Sequence, residues 1–230
     1  MNDAAATVFV VEDAPEVRKS LSRVLGAAGY QVRSFESAEG FLAEHRSDAQ
    51  GCLLLDICMP GLSGLDLQHV LIGSPNALPI VFLTGMGDVE MGVKAMKDGA
   101  VDFLTKPIDQ VRLFAAVERA LRLDAEERLQ VEIRRVIHLR LDTLTPRERE
   151  VMTQVIRGRL NKQIAAELGT GEKTVKVHRA RVMSKMVARS VAELVQLGAR
   201  VGVKIEPALG IGGAALSWRQ PQWPVSTRFE

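Results

Sequence analysis

Cys52-Leu53-Leu54-Leu55-Asp56-Ile57-Cys58-Met59-Pro60-Gly61 is an aliphatic run that ends on a carboxylate and then breaks at proline and glycine. A short continuous apolar run bounded by turn residues predicts a strand buried on both faces. A carboxylate at the end of such a strand is costly unless something pairs with it. Other apolar runs end on suitable partners: Glu12-Asp13, Thr84 and Lys106-Pro107.

Over residues 1–122 such runs alternate with helix-period segments. The predicted strands are Thr7–Val11, Gln31–Phe35, Cys52–Ile57, Pro79–Thr84 and Val101–Thr105, and the predicted helices lie near 15–28, 37–46, 64–72, 88–98 and from 109 onward. Pro15 suits the first position of a helix, and Ser37 and Ser63 suit caps. Strict alternation of strand and helix predicts an α/β doubly wound parallel sheet of five strands, covered on both faces. Ligands of such sheets bind at the carboxyl ends of the strands, where strand order reverses. Glu12, Asp13, Asp56, Thr84 and Lys106 all fall at those ends.

An aspartate that attacks phosphorus must be ionised, and a cation must stabilise the equatorial oxygens. Mg²⁺ suits this, since it takes oxygen ligands and keeps several waters. The predicted metal ligands are Glu12, Asp13, Asp56 and the backbone carbonyl of Cys58, with Asp56 also the phosphoacceptor. Lys106 can pair with the phosphoryl group, and Thr84 can donate its hydroxyl to it.

From Gln110 to Thr145 there is neither glycine nor proline, and Leu129, Ile133, Val136 and Ile137 recur at helical spacing. This stretch reads either as a spacer helix lying on one domain or as a helix that pairs with a second subunit. Beyond it, Thr145-Pro146-Arg147-Glu148 is a capping box with proline at the first helical position. Gly158 can end that helix, Asn161 can cap a short one to Leu168, and Gly169 can terminate it in the left-handed region. A third helix is expected from Glu172 to Met186, and a second capping box, Ser190-Val191-Ala192-Glu193, opens a fourth. Four short helices with a tight turn at Gly169–Gly171 predict an all-α helix-turn-helix domain.

At 3.6 residues per turn, Val175, Val182 and Met186 share one side of the third helix and form its core face. Lys173, Val177, Ala180 and Ser184 lie opposite, flanked by Lys176 and Arg181. Small and basic residues facing outward suit the major groove of double-stranded DNA, where lysine reaches guanine edges and Val177 or Ala180 touches a thymine methyl. Thr174, on the same first turn, joins the predicted contacts. Arg179 lies nearer the core edge and is expected on a phosphate, as is Lys162 at the start of the preceding helix. His178 is read as structural.

Charge agrees with this division. Residues 1–122 carry 16 acidic and 11 basic side chains, whereas residues 138–206 carry 7 acidic and 14 basic, so only the second half suits a polyanion. At 230 residues the chain has room for two cores, and with 4% aromatic residues those cores must be aliphatic. No apolar stretch approaches the roughly 18 residues of a membrane span. Met1-Asn2-Asp3-Ala4 lacks the basic and apolar segments of a signal peptide, and Cys52 and Cys58 cannot form a disulfide framework, so a cytoplasmic location is expected.

The motifs Val10-Val11-Glu12-Asp13, Asp56-Ile57-Cys58-Met59-Pro60-Gly61-Leu62-Ser63-Gly64, Phe82-Leu83-Thr84-Gly85 and Phe103-Leu104-Thr105-Lys106-Pro107 resemble the receiver domain of two-component response regulators. Leu144-Thr145-Pro146-Arg147-Glu148-Arg149-Glu150 and Lys173-Thr174-Val175-Lys176-Val177-His178-Arg179 resemble the LuxR-type helix-turn-helix. Together the chain resembles a FixJ-type member of the NarL/FixJ family. That resemblance implies strand order 2-1-3-4-5 and a receiver over 1–122. A helical linker would follow over 123–142, then a DNA-binding domain over 143–206. By its Gly/Pro/Trp composition the tail, 207–230, reads either as a segment without fixed structure or as one docked on a surface groove through Trp218 and Trp223. The resemblance implies a sensor histidine kinase as phosphoryl donor, Thr84 and Phe103 as a switch pair, and Lys106 before a cis proline. It also implies a homodimer formed on phosphorylation through the 88–105 face, and a promoter bound with RNA polymerase as a further partner.

Some positions depart from the family pattern. Cys58 and Met86 stand where polar or basic residues are common, and neither orients an attacking water readily, so a long-lived aspartyl phosphate is expected. Two other readings fit the residues less well. An aspartyl-phosphate phosphatase needs an acid two positions past the nucleophile, where this chain has Cys58. An interaction module or phosphate sink would use its helical domain mainly to contact protein.

Overall fold

The computed structural model describes residues 6–45, 49–72, 77–85 and 89–203. Met86 and the 207–230 tail lie outside the described residues. The chain divides into two compact units, Met1–Arg135 and Val136–Glu230.

The first unit is a five-stranded parallel sheet in the order β2-β1-β3-β4-β5. Its strands are β1 (Thr7–Val11), β2 (Gln31–Phe35), β3 (Gly51–Asp56), β4 (Ile80–Thr84) and β5 (Asp102–Thr105). Between them run α1 (Pro15–Ala27), α2 (Ala38–Glu44), α3 (Gly64–Leu71) and α4 (Val89–Lys97), and α5 (Gln110–Asp142) follows β5. The fold class and strand order are those expected from the sequence, with boundaries shifted by one or two residues.

Alternation along the strands builds two cores. Phe9, Val11, Leu53, Leu55 and Phe82 face one side and pack with Phe41 of α2, Leu67 of α3 and Ala95 of α4. Val8, Val10, Cys52, Leu54, Val81 and Leu83 face the other and meet Leu21 and Leu25 of α1 and Leu113 and Val117 of α5. All six residues of β3 are buried, and so is the whole of β4, so Asp56 and Thr84 both close strands that lie inside the sheet. Ser37 caps α2 through Gly40 N–H, and Ser63 and Asp66 form a capping box at α3.

Asp124, in the stretch assigned to the linker, belongs to the first unit. Its buried carboxylate accepts Gly51 N–H at 3.0 Å and Arg128 Nε at 2.8 Å, while Arg128 also donates to the Ala49 carbonyl. Further along α5, Ile137 and Leu141 are buried in the second unit.

That unit comprises α6 (Pro146–Ile156), α7 (Asn161–Glu167), α8 (Glu172–Met186) and α9 (Val191–Arg200). Helix α6 packs on α8 and α9, and α7 packs on α8. Two caps differ from the sequence reading. Leu160, not Asn161, precedes α7, and its N–H is taken by the Gln163 side chain at 2.9 Å. Ser190 caps α9 as expected, but the Glu193 carboxylate accepts Arg189 N–H rather than closing the box on Ser190. Among the described residues, no helix is long and apolar enough to cross a membrane.

Candidate functional site

Four side chains from three strand ends converge above the sheet. Glu12 and Asp13 follow β1, Asp56 closes β3, and Lys106 follows β5. The register pairs Val11 with Leu55 and Thr84 with Thr105, which brings these ends level. Each of the three carboxylates places an oxygen within 4.8 Å of the others. Gly64 lets α3 start close beneath them, because a Cβ there would lie 2.2 Å from the Asp56 carbonyl oxygen.

Lys106 supplies the counter-charge. Its Nζ lies 2.8 Å from Asp56 Oδ2 and 2.9 Å from Glu12 Oε1. Glu12 Oε2 is also 2.8 Å away, yet only the Oε1 contact has hydrogen-bond geometry. Burial works against the Lys106 charge, but the bonds to Asp56 and Glu12 outweigh it and hold the ammonium above the usual lysine value. Glu12 is fully buried, and that desolvation pushes its carboxyl above the ordinary range, with the Asp56 charge adding to the rise. One lysine does not neutralise three carboxylates. The buried Glu12 Oε2, without a hydrogen bond, is an oxygen that a divalent cation or its water would satisfy, so the donor set fits Mg²⁺.

Other residues expected here are found around this cluster. Cys58 is exposed, and its N–H donates to Asp56 Oδ1 at 3.3 Å. Thr84 is buried and its hydroxyl donates to the Gly85 carbonyl at 3.0 Å. Phe103 is partly buried on β5 beside Gly92 of α4, where an added Cβ would come 3.4 Å from its ring. The Lys106–Pro107 peptide bond is cis. The other cysteine, Cys52, is inert: burial pushes its thiol up to about 12, and the Asp124 charge adds to this.

On α8 the faces divide as the periodicity requires. Val175, Val182 and Met186 are fully buried, while Lys173, Thr174, Lys176, Val177, Ala180 and Arg181 are exposed. Lys162 is exposed on the first turn of α7. Lys176 sits 3.8 Å from Glu172 in a loose i,i+4 pair that leaves it available. Arg179 differs from its neighbours. It is half-buried, and its Nη1 donates to Asn161 Oδ1 at 3.0 Å.

Sequence reasoning missed the second anchor of α8. Lys185 Nζ lies 2.6 Å from the buried Glu148 carboxylate and donates to the Thr143 carbonyl at 2.8 Å. The Lys185 bond, with the Thr145 N–H of the capping box, holds the Glu148 carboxyl below the usual glutamate range. Glu148 was legible as a cap residue, but its partner 37 positions away carried no local signal.

Residues 8–118 match the family model described as the response regulator receiver domain, and residues 142–197 match that of the bacterial regulatory proteins of the luxR family. Nodulation protein W of Bradyrhizobium diazoefficiens is 44% identical over 198 residues, spanning 86% of this chain and 87% of its own. The transcriptional regulatory protein FixJ of Rhizobium meliloti is 42% identical over 191 residues, 83% of this chain and 94% of its own. Among solved structures, the response regulator StyR aligns with a TM-score of 0.76 at 46% identity, covering 86% of this chain and all of that one. Full-length FixJ from B. japonicum aligns with a TM-score of 0.53 at 40% identity over 86% of this chain and 98% of that one. With a receiver sheet carrying an acidic cluster at its strand ends and a LuxR-type helix-turn-helix behind it, the chain belongs to the NarL/FixJ-type response regulators of two-component systems.

Proposed function

We propose that the chain is a cytoplasmic transcription factor switched by phosphorylation of Asp56. A carboxylate oxygen of Asp56 attacks the phosphorus of a phosphohistidine on a sensor kinase. The P–N bond breaks, the imidazole leaves with the electron pair, and a mixed anhydride forms. The observation that carries this reading is the Lys106 ammonium 2.8 Å from Asp56 Oδ2, inside a cluster of three carboxylates.

Each residue has a part. Glu12, Asp13, Asp56 and the Cys58 carbonyl would hold Mg²⁺, which when bound would offset the charge on the oxygens of the transferring phosphoryl group. Lys106 pairs with the incoming phosphoryl group, so that the buried site can carry the roughly two negative charges of the acyl phosphate in place of the single charge of the free carboxylate. Thr84 gives up its bond to the Gly85 carbonyl and donates to a phosphoryl oxygen, and Phe103 moves inward to fill the vacated space. The 88–105 face then changes shape and pairs two receivers.

Pairing delivers two basic helix-turn-helix domains to related half-sites of a promoter. Lys173, Thr174, Lys176, Val177, Ala180 and Arg181 face the groove, Lys162 meets a phosphate, and RNA polymerase is a further partner at the promoter. Exposure of Lys176 and Val177 beside a fully buried Val175 and Val182 supports this orientation.

Intact-protein and peptide mass spectrometry after incubation with acetyl phosphate and Mg²⁺ tests the chemical step. One phosphoryl group on the peptide containing Asp56, absent without Mg²⁺ and absent in Asp56→Asn, is the expected result. Modification that persists in Asp56→Asn would assign the acceptor elsewhere.

A further inference from the structure

Helix α7 is short, and two of its residues, Ile164 and Ala165, are buried. So small an apolar footprint sets how near α7 lies to its neighbours, but it fixes rotation poorly, because a few aliphatic contacts tolerate sliding. Polar bonds at both ends of α7 supply what the apolar contacts do not. Arg147 of α6 donates to the Leu168 carbonyl at the C-terminal end, and Gln154 of α6 donates to Glu167 at 2.6 Å. At the other end, Asn161 opens the helix and accepts from Arg179 of α8 at 3.0 Å.

Arg179 stands between the buried Val175 and Val182 on one side and the exposed Val177 and Ala180 on the other. It is the basic residue on α8 that reaches back to α7 rather than outward. Its bond holds the first turn of α7, where Lys162 is exposed, against the middle of the reading helix. The acceptor is a neutral amide. A carboxylate at that place would cancel the arginine charge next to the duplex, whereas asparagine fixes the geometry and leaves the local charge positive.

We propose that Arg179 and Asn161 form a positioning pair: they set the angle at which α8 enters the groove, and Arg179 is not a phosphate ligand. The pair therefore governs discrimination between base sequences, not general affinity for DNA. This rests on the DNA-binding reading above and adds to it a specificity determinant that touches no base.

The test uses the full chain treated with acetyl phosphate and Mg²⁺. Its affinity is measured over a range of salt for a duplex selected from a random pool and for a scrambled duplex of the same composition. Arg179→Ala and Asn161→Ala are each expected to cut the preference for the selected duplex by about tenfold. The double variant should be no worse than either single one, because both remove the same bond. The slope of log affinity against log salt should stay at the wild-type value, since no phosphate contact is lost. Asn161→Asp keeps the bond to Arg179 with a charged acceptor, so it should retain the preference for the selected duplex.

Contrary results are distinct from these. If Arg179→Ala weakens both duplexes equally and reduces the salt slope by about one while Asn161→Ala is silent, Arg179 is a phosphate contact and the proposal is wrong. Additive losses in the double variant would also overturn it. Loss of preference in Asn161→Asp, in a variant whose helical circular dichroism matches wild type, would do the same. Failure of the wild-type chain to bind any duplex would instead remove the underlying DNA-binding reading.

Discussion

Lys106 has a structural load as well as a chemical one. It is the cation between Glu12 and Asp56, and those two carboxylates are almost completely buried. Removing one partner from a buried ionic cluster leaves the others uncompensated, which costs more than the pair itself contributes. The Lys106 side chain is 26% exposed, so solvent screens part of that cost. Lys106→Met is expected to destabilise the chain by roughly 1–3 kcal/mol in urea unfolding. Added Mg²⁺ should restore more stability to this variant than to wild type, because the metal becomes the sole counter-charge. Equal stability without metal would show that the ion pair contributes nothing.

Glu148 gives a pH signature. Its carboxyl is held below the usual glutamate range by the Lys185 bond, so the folded state binds a proton there less readily than the unfolded chain. Such a group stabilises fully above the ordinary glutamate value, and the contribution disappears as pH falls through the lower folded value. The thermal midpoint of the second unit should therefore drop across that acidic window. Glu148→Gln should start lower at neutral pH and show less of the drop. A wild-type profile that stays flat there would assign the Lys185 contact no energetic role.

Strands and helices illustrate what sequence alone can and cannot show. The run Cys52–Ile57 matches β3 to within one residue at each end, since burial on both faces leaves a continuous aliphatic pattern. Asp56, Glu12, Thr84 and Lys106 were legible because each closes such a run, and a parallel sheet brings its strand ends to one edge. Helix caps written in local patterns, Ser37, Ser63 and Thr145, were equally plain. What was hidden depends on partners far along the chain. Asp124 reads as one acid on a spacer helix, yet it accepts Gly51 N–H from 73 residues away. Arg179 reads as one more basic residue on α8 until Asn161 is placed beside it. Val187 takes the left-handed conformation, φ 55°, at the end of α8, which a β-branched residue rarely adopts and no pattern announced.

The Asp124 clamp yields a prediction of its own. Gly51 adopts φ 145° with its Cα packed so close to β1 that a Cβ would meet the Thr7 carbonyl at 1.8 Å. Its N–H points into the interior, and Asp124 is the acceptor it has there. Asp124→Ala would leave that donor and the Arg128 guanidinium without their carboxylate, at an expected cost of about 1–3 kcal/mol. Chemical denaturation would measure it, and faster hydrogen exchange at the Gly51 amide should accompany the loss. An unchanged midpoint would mean that water replaces the carboxylate at no cost.

Taken over its full length, the chain joins an acidic receiver to a basic helix-turn-helix unit, with one continuous helix, α5, running through the boundary between Arg135 and Val136. Asp56 and α8 belong to different units, so a phosphoryl group on Asp56 would act on DNA binding by shifting an equilibrium that both units share. In the proposed function the shared equilibrium is the pairing of two receivers, since a dimer would present twice as many basic residues to one duplex. Sedimentation velocity should then show a shift from monomer toward dimer on acetyl phosphate treatment in wild type and none in Asp56→Asn.

The most direct test of the account is a fluorescence anisotropy titration of a labelled target duplex, at fixed salt, with and without acetyl phosphate and Mg²⁺. Wild type should gain between roughly 5- and 150-fold in affinity, the range over which linked sites commonly couple. Asp56→Asn should show the untreated affinity under both conditions. An equal affinity for treated and untreated wild type, with Asp56 shown to be phosphorylated, would contradict it.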